Sequence, residues 1–280
     1  MNEKKWSKSL NIYTMLVKTD TVNGYFYEQL ANCYSHLNEP EEAVRCYITA
    51  IKINPENQKN IIDLTYCYYL LNQNKNALSI LNAGLKYHPF SSELWKWKGD
   101  IYIKMSDYDS ALFSYYRAFY AGDTTANMLK NIGICLYWSK DYIPAEVFLK
   151  RSIEVSPIDY SGYFYLGASF KAQNKLDKAL ENFKKADSLL QNDALADIYV
   201  QIGSVYQTQK KYNSALEYYK DAIRENPSNR ATYFYLAAMY DKLNNKNVAA
   251  GYYKLFLKDS NNQDKTLVDY SKHRIIDMGK

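Results

Sequence analysis

The chain has 280 residues, of which 47% are hydrophobic and 23% are charged. This composition is typical of a folded protein and excludes a disordered chain. The net charge is +5, and basic and acidic residues are interleaved without a long run of one sign. Because nucleic-acid-binding proteins usually concentrate positive charge on one face, we expect no nucleic-acid partner.

No apolar run approaches the roughly 20 residues that a membrane helix needs, so we predict no membrane span. The first residues contain lysines without an apolar stretch behind them, and no signal peptide is visible. A signal removed from a longer precursor stays open, so a cytoplasmic location is only slightly favoured over a periplasmic one. The 4 Cys and 3 His are scattered, and glycine-rich phosphate-binding motifs are missing. We therefore predict no metal ligands, no cofactor and no catalytic residues.

Prolines and glycines share one period along the chain. Four prolines are spaced by 34, 68 and 70 residues: Pro55, Pro89, Pro157 and Pro227. Four glycines are spaced by 34, 34 and 36 residues: Gly99, Gly133, Gly167 and Gly203. Two residue types therefore indicate a repeat of 34 residues with one two-residue insertion, which we place around Leu189–Asp193.

The period and its marked positions resemble the tetratricopeptide repeat, a helix–turn–helix unit. In that family, positions 4, 7, 8 and 11 mark the first helix, positions 20, 24 and 27 mark the second, and position 32 is proline. The first repeat matches every marked position: Tyr27, Leu30, Ala31, Tyr34, Ala43, Tyr47, Ala50 and Pro55. The third repeat departs at position 7, where Lys98 replaces a Leu-like residue.

The resemblance implies an all-α fold, a right-handed alpha-alpha superhelix built as one solenoid over residues 1–280. Residues 1–23 resemble a half repeat, a second helix without its first. Seven repeats then follow in chain order: 24–57, 58–91, 92–125, 126–159, 160–195, 196–229 and 230–263. Residues 264–280 resemble a lone first helix that caps the array, with polar Arg274 where a next unit would dock.

Tyrosine is unusually frequent, with 30 residues, and its periodicity predicts a structural role. Thirteen tyrosines occupy marked positions and are predicted to lie in the core. They are Tyr27, Tyr163, Tyr199 and Tyr233 at position 4; Tyr34, Tyr68, Tyr102, Tyr206 and Tyr240 at position 11; and Tyr47, Tyr115, Tyr219 and Tyr253 at position 24. Small residues at positions 8 and 20 should let the paired helices approach closely.

In arrays of this family the first helices line a concave groove through positions 2, 5, 9 and 12. Aromatic anchors with a few charges suit an extended or helical peptide. The resemblance places these residues in a peptide groove: Tyr25, Glu28, Asn32, Lys59, Ile62, Tyr66, Tyr69, Lys96, Asp100, Lys130, Tyr137, Phe164, Lys171 and Phe234. A packing role against the neighbouring repeat stays open for each aromatic residue among them.

The family's carboxylate clamp for the tails of the Hsp70 and Hsp90 chaperones is missing, since Glu28 stands where the clamp needs lysine. We therefore predict a non-enzymatic scaffold or adapter that binds a peptide segment or partner protein of unknown identity. Two alternatives stay open: a regulatory or targeting segment of a larger multidomain protein, such as an enzyme or a secretion or assembly factor, and a glycan-binding module. The composition suggests a bacterial protein, and it does not indicate an oligomeric state.

Three cysteines share position 10 of their repeats: Cys33, Cys67 and Cys135. Equivalent residues in successive repeats should lie farther apart than the roughly 7 Å limit for a disulfide. A bond between Cys33 and Cys46 is not excluded by this argument. We expect reduced, buried thiols.

Overall fold

The computed structural model describes residues 2–190, 195–258 and 264–279, which contain helices and turns but no strand. The described helices are α1 Asn2–Thr19, α2 Gly24–His36, α3 Pro40–Ile53, α4 Gln58–Leu70, α5 Asn74–Tyr87, α6 Ser92–Lys104, α7 Tyr108–Tyr120, α8 Ala126–Trp138, α9 Tyr142–Val155, α10 Tyr160–Ala172, α11 Leu176–Leu189, α12 Leu195–Thr208, α13 Tyr212–Glu225, α14 Arg230–Lys242, α15 Lys246–Leu257 and α16 Lys265–Met278. The fold class is therefore all-α, as the sequence predicts.

The contacts divide the chain into an N-terminal unit, Met1–Ser139, and a C-terminal unit, Lys140–Lys280. Within each unit, every helix packs against the helix before it and the helix after it. This is the arrangement in which a repeat buries its apolar faces against its neighbours. The repeat boundaries and the single array predicted from the sequence stay predictions. The predicted insertion around Leu189–Asp193 extends outside the described residues.

A left-handed residue follows the first helix in each of the seven described helix pairs, α2/α3 to α14/α15. Four of these residues are the asparagines that the sequence places at this point: Asn38, Asn72, Asn174 and Asn244, with φ between 57° and 60°. Asn accepts this conformation more readily than other residues with a side chain. Ser106, Lys140 and Lys210 adopt the same conformation, so the turn is kept where the asparagine is absent.

The predicted tyrosine core is correct at position 24 and only partly correct elsewhere. Tyr47, Tyr115, Tyr219 and Tyr253 are all buried between paired helices. The four tyrosines at position 4 are instead half-buried: Tyr27, Tyr163, Tyr199 and Tyr233. The Tyr233 hydroxyl, for example, donates to the Pro227 carbonyl at 3.1 Å. Of the position-11 rings only Tyr68 is buried, and the others are half-buried.

Arg274 of the predicted capping helix is paired with an acidic residue. Its guanidinium lies against the preceding repeat, where it donates from Nε to Oδ2 of Asp241 at 2.8 Å and from Nη2 to Oδ1 at 2.6 Å. The planar guanidinium matches the two carboxylate oxygens, so the residue joins α16 to α14. The expectation that α16 caps the array stays a prediction.

All four cysteines lie in the described part of the chain and are free thiols. Cys33, Cys67 and Cys135 are buried, as expected. Burial raises the pKa of Cys46 and of Cys67 to about 11 and that of Cys135 to about 12. These thiols therefore stay protonated, and they are poor nucleophiles.

Candidate functional site

In the N-terminal unit, the first helices α2, α4 and α6 are joined by side chains of one face. Lys59 of α4 pairs with Glu28 of α2, with 2.8 Å between Nζ and Oε1. Tyr66 and Tyr69 of α4 each pack edge-on against Trp97 of α6, with ring centroids 6.1 Å apart. The structure therefore brings together four of the residues that the sequence assigns to the groove.

The polar end of this face is a network centred on Lys59. Its ammonium also lies 3.5 Å from Oδ2 of Asp63, while Asn57 donates from Nδ2 to Glu28 at 3.3 Å. Burial lowers the pKa of Lys59, but the hydrogen bond from Lys59 to Glu28 and the charge of Asp63 outweigh it, so the pKa is raised. Lys59 thus stays charged, and it holds Glu28 in place on α2.

The aromatic end of this face is a cluster of Tyr66, Tyr69 and Trp97, called here the Trp97 cluster. Lys104 fixes its edge, because Nζ lies 3.8 Å from the Tyr69 ring centroid and donates to the Tyr69 carbonyl at 2.5 Å. Tyr66 is 44% exposed, so the cluster presents an aromatic edge to solvent. The rings are held before any partner arrives, which lowers the entropy cost of binding.

Trp97 and Lys104 are not among the groove residues predicted from the sequence. They occupy positions 6 and 13 of the third repeat, which lie three or four residues from positions 2 and 9. Residues with that spacing share one helical face. Helical spacing alone could therefore have added both residues to the face.

Two predicted groove residues are held by buried tyrosines. Tyr47 donates from its hydroxyl to Oδ1 of Asn32 at 2.7 Å, and Tyr115 donates to Oδ1 of Asp100 at 2.6 Å. These bonds satisfy phenol hydroxyls that would otherwise be costly to bury. Asn32 and Asp100 therefore serve the packing of each helix pair. Tyrosine at position 24 is only a partial sequence signal for this role, since repeats with leucine there carry no acid or amide at position 9.

Asp100→Asn is expected to be at least as stable as the wild type near neutral pH. Burial raises the pKa of Asp100, outweighing the hydrogen bond from Tyr115 and the charge of Lys96. A carboxyl group with a raised pKa in the folded protein stabilises the fold only while it is protonated. This stabilisation is complete below the pKa of the unfolded chain, about 3.9, and it is lost as pH rises through the raised pKa of the folded protein. The amide oxygen can still accept from Tyr115 without titrating.

Urea unfolding of both proteins between about pH 4 and pH 7 checks this expectation. The free energy of unfolding of the variant, relative to the wild type, should increase with pH. A difference that stays constant across the range, or that decreases, would show that the Asp100 carboxylate is not penalised by burial.

The other predicted groove residues of the N-terminal unit have separate surroundings. Tyr25 is 57% exposed and packs beside Phe26, with ring centroids 6.2 Å apart. Ile62 packs against the core, and the Tyr137 ring lies 5.3 Å from that of Trp138. Lys96 and Lys130 are half-buried.

The three predicted groove residues of the C-terminal unit make packing contacts. Phe164 lies 5.7 Å from the Phe183 ring. Lys171 donates from Nζ to Oε1 of Gln201 at 2.9 Å, and burial lowers its pKa. Phe234 is surrounded by the rings of Tyr253, Phe256 and Tyr270, at 5.9, 5.4 and 5.9 Å.

The described residues contain no group of three or more His, Cys, Asp or Glu side chains placed to hold a metal ion. Across the same residues, no helix is both long and apolar enough to span a membrane.

Sequence models of the tetratricopeptide repeat match residues 25–57, 68–127 and 196–229. The chain is a tetratricopeptide repeat protein. The matches include the repeat segments that carry Tyr47, Tyr115 and Tyr219, whose hydroxyls bond to the first helices. Repeats of this family form protein–protein interaction scaffolds, and this is the class of function that the fold supports.

This chain is similar to the BBSome complex member BBS4 of Bos taurus, at 21% identity over 230 residues. The match covers 82% of this chain and 44% of that protein, so the chain spans under half of its length. Among solved structures, the APC/C hetero-tetramer Cut9–Hcn1 matches with a TM-score of 0.68 and 17% identity, covering 96% of this chain and 52% of that one.

The crystal structure of YrrB, a tetratricopeptide repeat protein with an unusual peptide-binding site, also matches. Its TM-score is 0.58 at 21% identity, and the match covers 68% of this chain and 96% of that one. At such identities these likenesses establish the fold alone, an all-α superhelical repeat.

Proposed function

We propose that the N-terminal unit is a non-enzymatic adapter that binds an extended segment of a partner protein across α2, α4 and α6. The observation that carries the proposal is the Trp97 cluster, in which Tyr66 and Tyr69 are already packed on one indole ring. Aromatic anchors held in place are the usual source of binding energy at protein interfaces.

The charges around the Trp97 cluster favour a segment with polar groups on both sides of an apolar residue. Lys104 lies at one edge, and the pair of Glu28 and Lys59 lies toward α2. The Lys59 side chain is 61% exposed, so its ammonium has donors left for a partner carbonyl or carboxylate. The likeness to YrrB, with its peptide-binding site, agrees with a peptide ligand.

The test is a selection of random peptides displayed on phage, followed by affinity measurements on the purified chain. The variant Tyr66→Ser, Tyr69→Ser should bind the selected peptides at least roughly tenfold more weakly, because the anchor rings are lost. Tyr87→Ser is the matched control: Tyr87 belongs to the same unit, is 48% exposed and lies on a second helix, α5.

Equal weakening by the control variant, or none by the double variant, would reject the Trp97 cluster as the binding site. A glycan array with the same proteins tests the alternative of a glycan-binding module, because tyrosine and tryptophan rings also stack on sugars. Glycan binding that is lost in the double variant, together with a failed peptide selection, would replace the proposal.

A further inference from the structure

Trp95 lies on the opposite side of α6 from Trp97, since two residues correspond to a turn of roughly 200° in an α-helix. Its ring packs edge-on against Phe113 of α7, with centroids 5.9 Å apart. Its Nε1 donates to the Pro89 carbonyl at 2.9 Å, which fixes the ring at the α5–α6 turn. This side of the helix pair is therefore separate from the Trp97 cluster.

Two cations lie over the Trp95 ring. Lys98 Nζ is 4.9 Å from the ring centroid, and Arg117 Cζ is 5.1 Å from it. In the part of the chain that the structure describes, neither makes an ion pair with a carboxylate. Contact with the ring stabilises a cation less well than a carboxylate partner does.

Lys98 occupies position 7, where the family places a Leu-like residue. The side chain is half-buried, and burial lowers its pKa. A desolvated ammonium without a counter-ion costs stability, whereas leucine would pack there without that cost. A residue that lowers stability at one position of one repeat is typical of a functional site.

A cleft opens beside Arg117. It is lined by Pro89, Phe90, Arg117, Tyr120 and Ala121, and it holds about 160 Å³. Phe90 and Tyr120 are 79% and 80% exposed, an unusual exposure for two aromatic rings on one small surface. An apolar side chain entering this cleft would remove both rings from water.

We propose that Trp95, Lys98, Arg117, Phe90 and Tyr120 form a second docking site, the Trp95 site, for an acidic segment of a partner protein. A carboxylate of the segment is bound by Lys98 and Arg117, and a neighbouring apolar side chain enters the cleft beside Phe90 and Tyr120. Charge complementarity identifies the occupant, because both cations lack an acidic partner among the described residues, and the guanidinium can bind a carboxylate through two hydrogen bonds.

The experiment is a second phage selection on the full chain, with depletion on Lys98→Leu, so that only peptides needing Lys98 are kept. The enriched peptides should carry Asp or Glu next to an apolar residue. Synthetic copies of these peptides should bind Lys98→Leu and Arg117→Gln roughly tenfold more weakly than they bind the wild type. Peptides whose Asp or Glu is replaced by Asn or Gln should bind the wild type with a similar loss of affinity.

Three controls separate this result from trivial causes. Lys98→Leu should have a higher Tm than the wild type, so its loss of binding does not come from unfolding. Lys75→Leu removes the same charge from an exposed position on α5 and should bind normally. The Tyr66→Ser, Tyr69→Ser variant should also bind normally, so failure of the Trp97 proposal leaves this one intact.

Several results would overturn the proposal. They are enriched peptides without acidic residues, no peptide that distinguishes Lys98→Leu from the wild type, and equal weakening by Lys75→Leu. Binding of inorganic phosphate that is as tight as that of the acidic peptides would also overturn it, since the site would then be a general anion site.

Discussion

Gly99→Ala is expected to lower the free energy of unfolding by about 1–3 kcal/mol, although alanine normally favours a helix over glycine by about 1 kcal/mol. A Cβ atom at residue 99 would lie 2.5 Å from a ring carbon of Tyr115. That ring cannot move easily, because it is buried and its hydroxyl is bonded to Asp100. The added methyl group must therefore push α6 and α7 apart.

The measurement is urea unfolding followed by circular dichroism, with other glycines as a graded series. A Cβ atom at Gly203 would lie 2.8 Å from the Tyr219 ring, and one at Gly167 would lie 2.9 Å from the Phe183 ring, so both substitutions should cost less than Gly99→Ala. Gly251 of α15 has open space around it, and Gly251→Ala should stabilise the chain by about 0.5–1 kcal/mol. A Gly99→Ala protein as stable as Gly251→Ala would contradict the close approach of α6 and α7.

Phe234→Ala is expected to destabilise the C-terminal unit by about 2–4 kcal/mol. The sequence assigns Phe234 to the groove, but its ring packs among Tyr253, Phe256 and Tyr270. Tyr270 belongs to α16, so truncation would leave a cavity where α14, α15 and α16 meet. The structure therefore predicts that this substitution lowers stability strongly. If Phe234 were exposed in a groove, the same substitution would change stability little.

Thermal and urea unfolding of Phe234→Ala, compared with Phe90→Ala, checks this expectation. Phe90 is 79% exposed, and its truncation should change stability by no more than about 0.5 kcal/mol. Hydrogen exchange should also show faster exchange along α16 in Phe234→Ala. Equal stability of the two variants would contradict the packing role of Phe234 and favour its assignment to the groove.

The sequence was sufficient to predict the fold. The common spacing of proline and glycine gives the period, and small residues at positions 8 and 20 predict close helix pairs. The left-handed asparagines, such as Asn38 and Asn174, were also found where the sequence places them. Such features depend on local backbone geometry and on spacing within one repeat, and both can be read from the order of the residues.

The candidate site was predicted less completely. Glu28, Lys59, Tyr66 and Tyr69 were found on one face, while Trp97 and Lys104 were not among the predicted groove residues. Asn32 and Asp100 turned out to be acceptors for buried tyrosines, and Phe234 lies in an aromatic cluster. The repeat numbering assigns the same groove positions to all seven repeats. Whether a side chain at such a position packs or faces solvent depends on the side chain that it contacts.

The sequence by itself determined the helical repeat, its period and the buried tyrosines of position 24. Only the tertiary structure decided which polar and aromatic side chains are occupied by packing and which face solvent. The reason is physical: the contacts that occupy the side chains of Glu28, Tyr69 and Asp241 come from residues 31, 35 and 33 positions away, in the next repeat. Such contacts depend on the stacking of successive repeats and on side-chain conformation, which a repeat pattern does not encode.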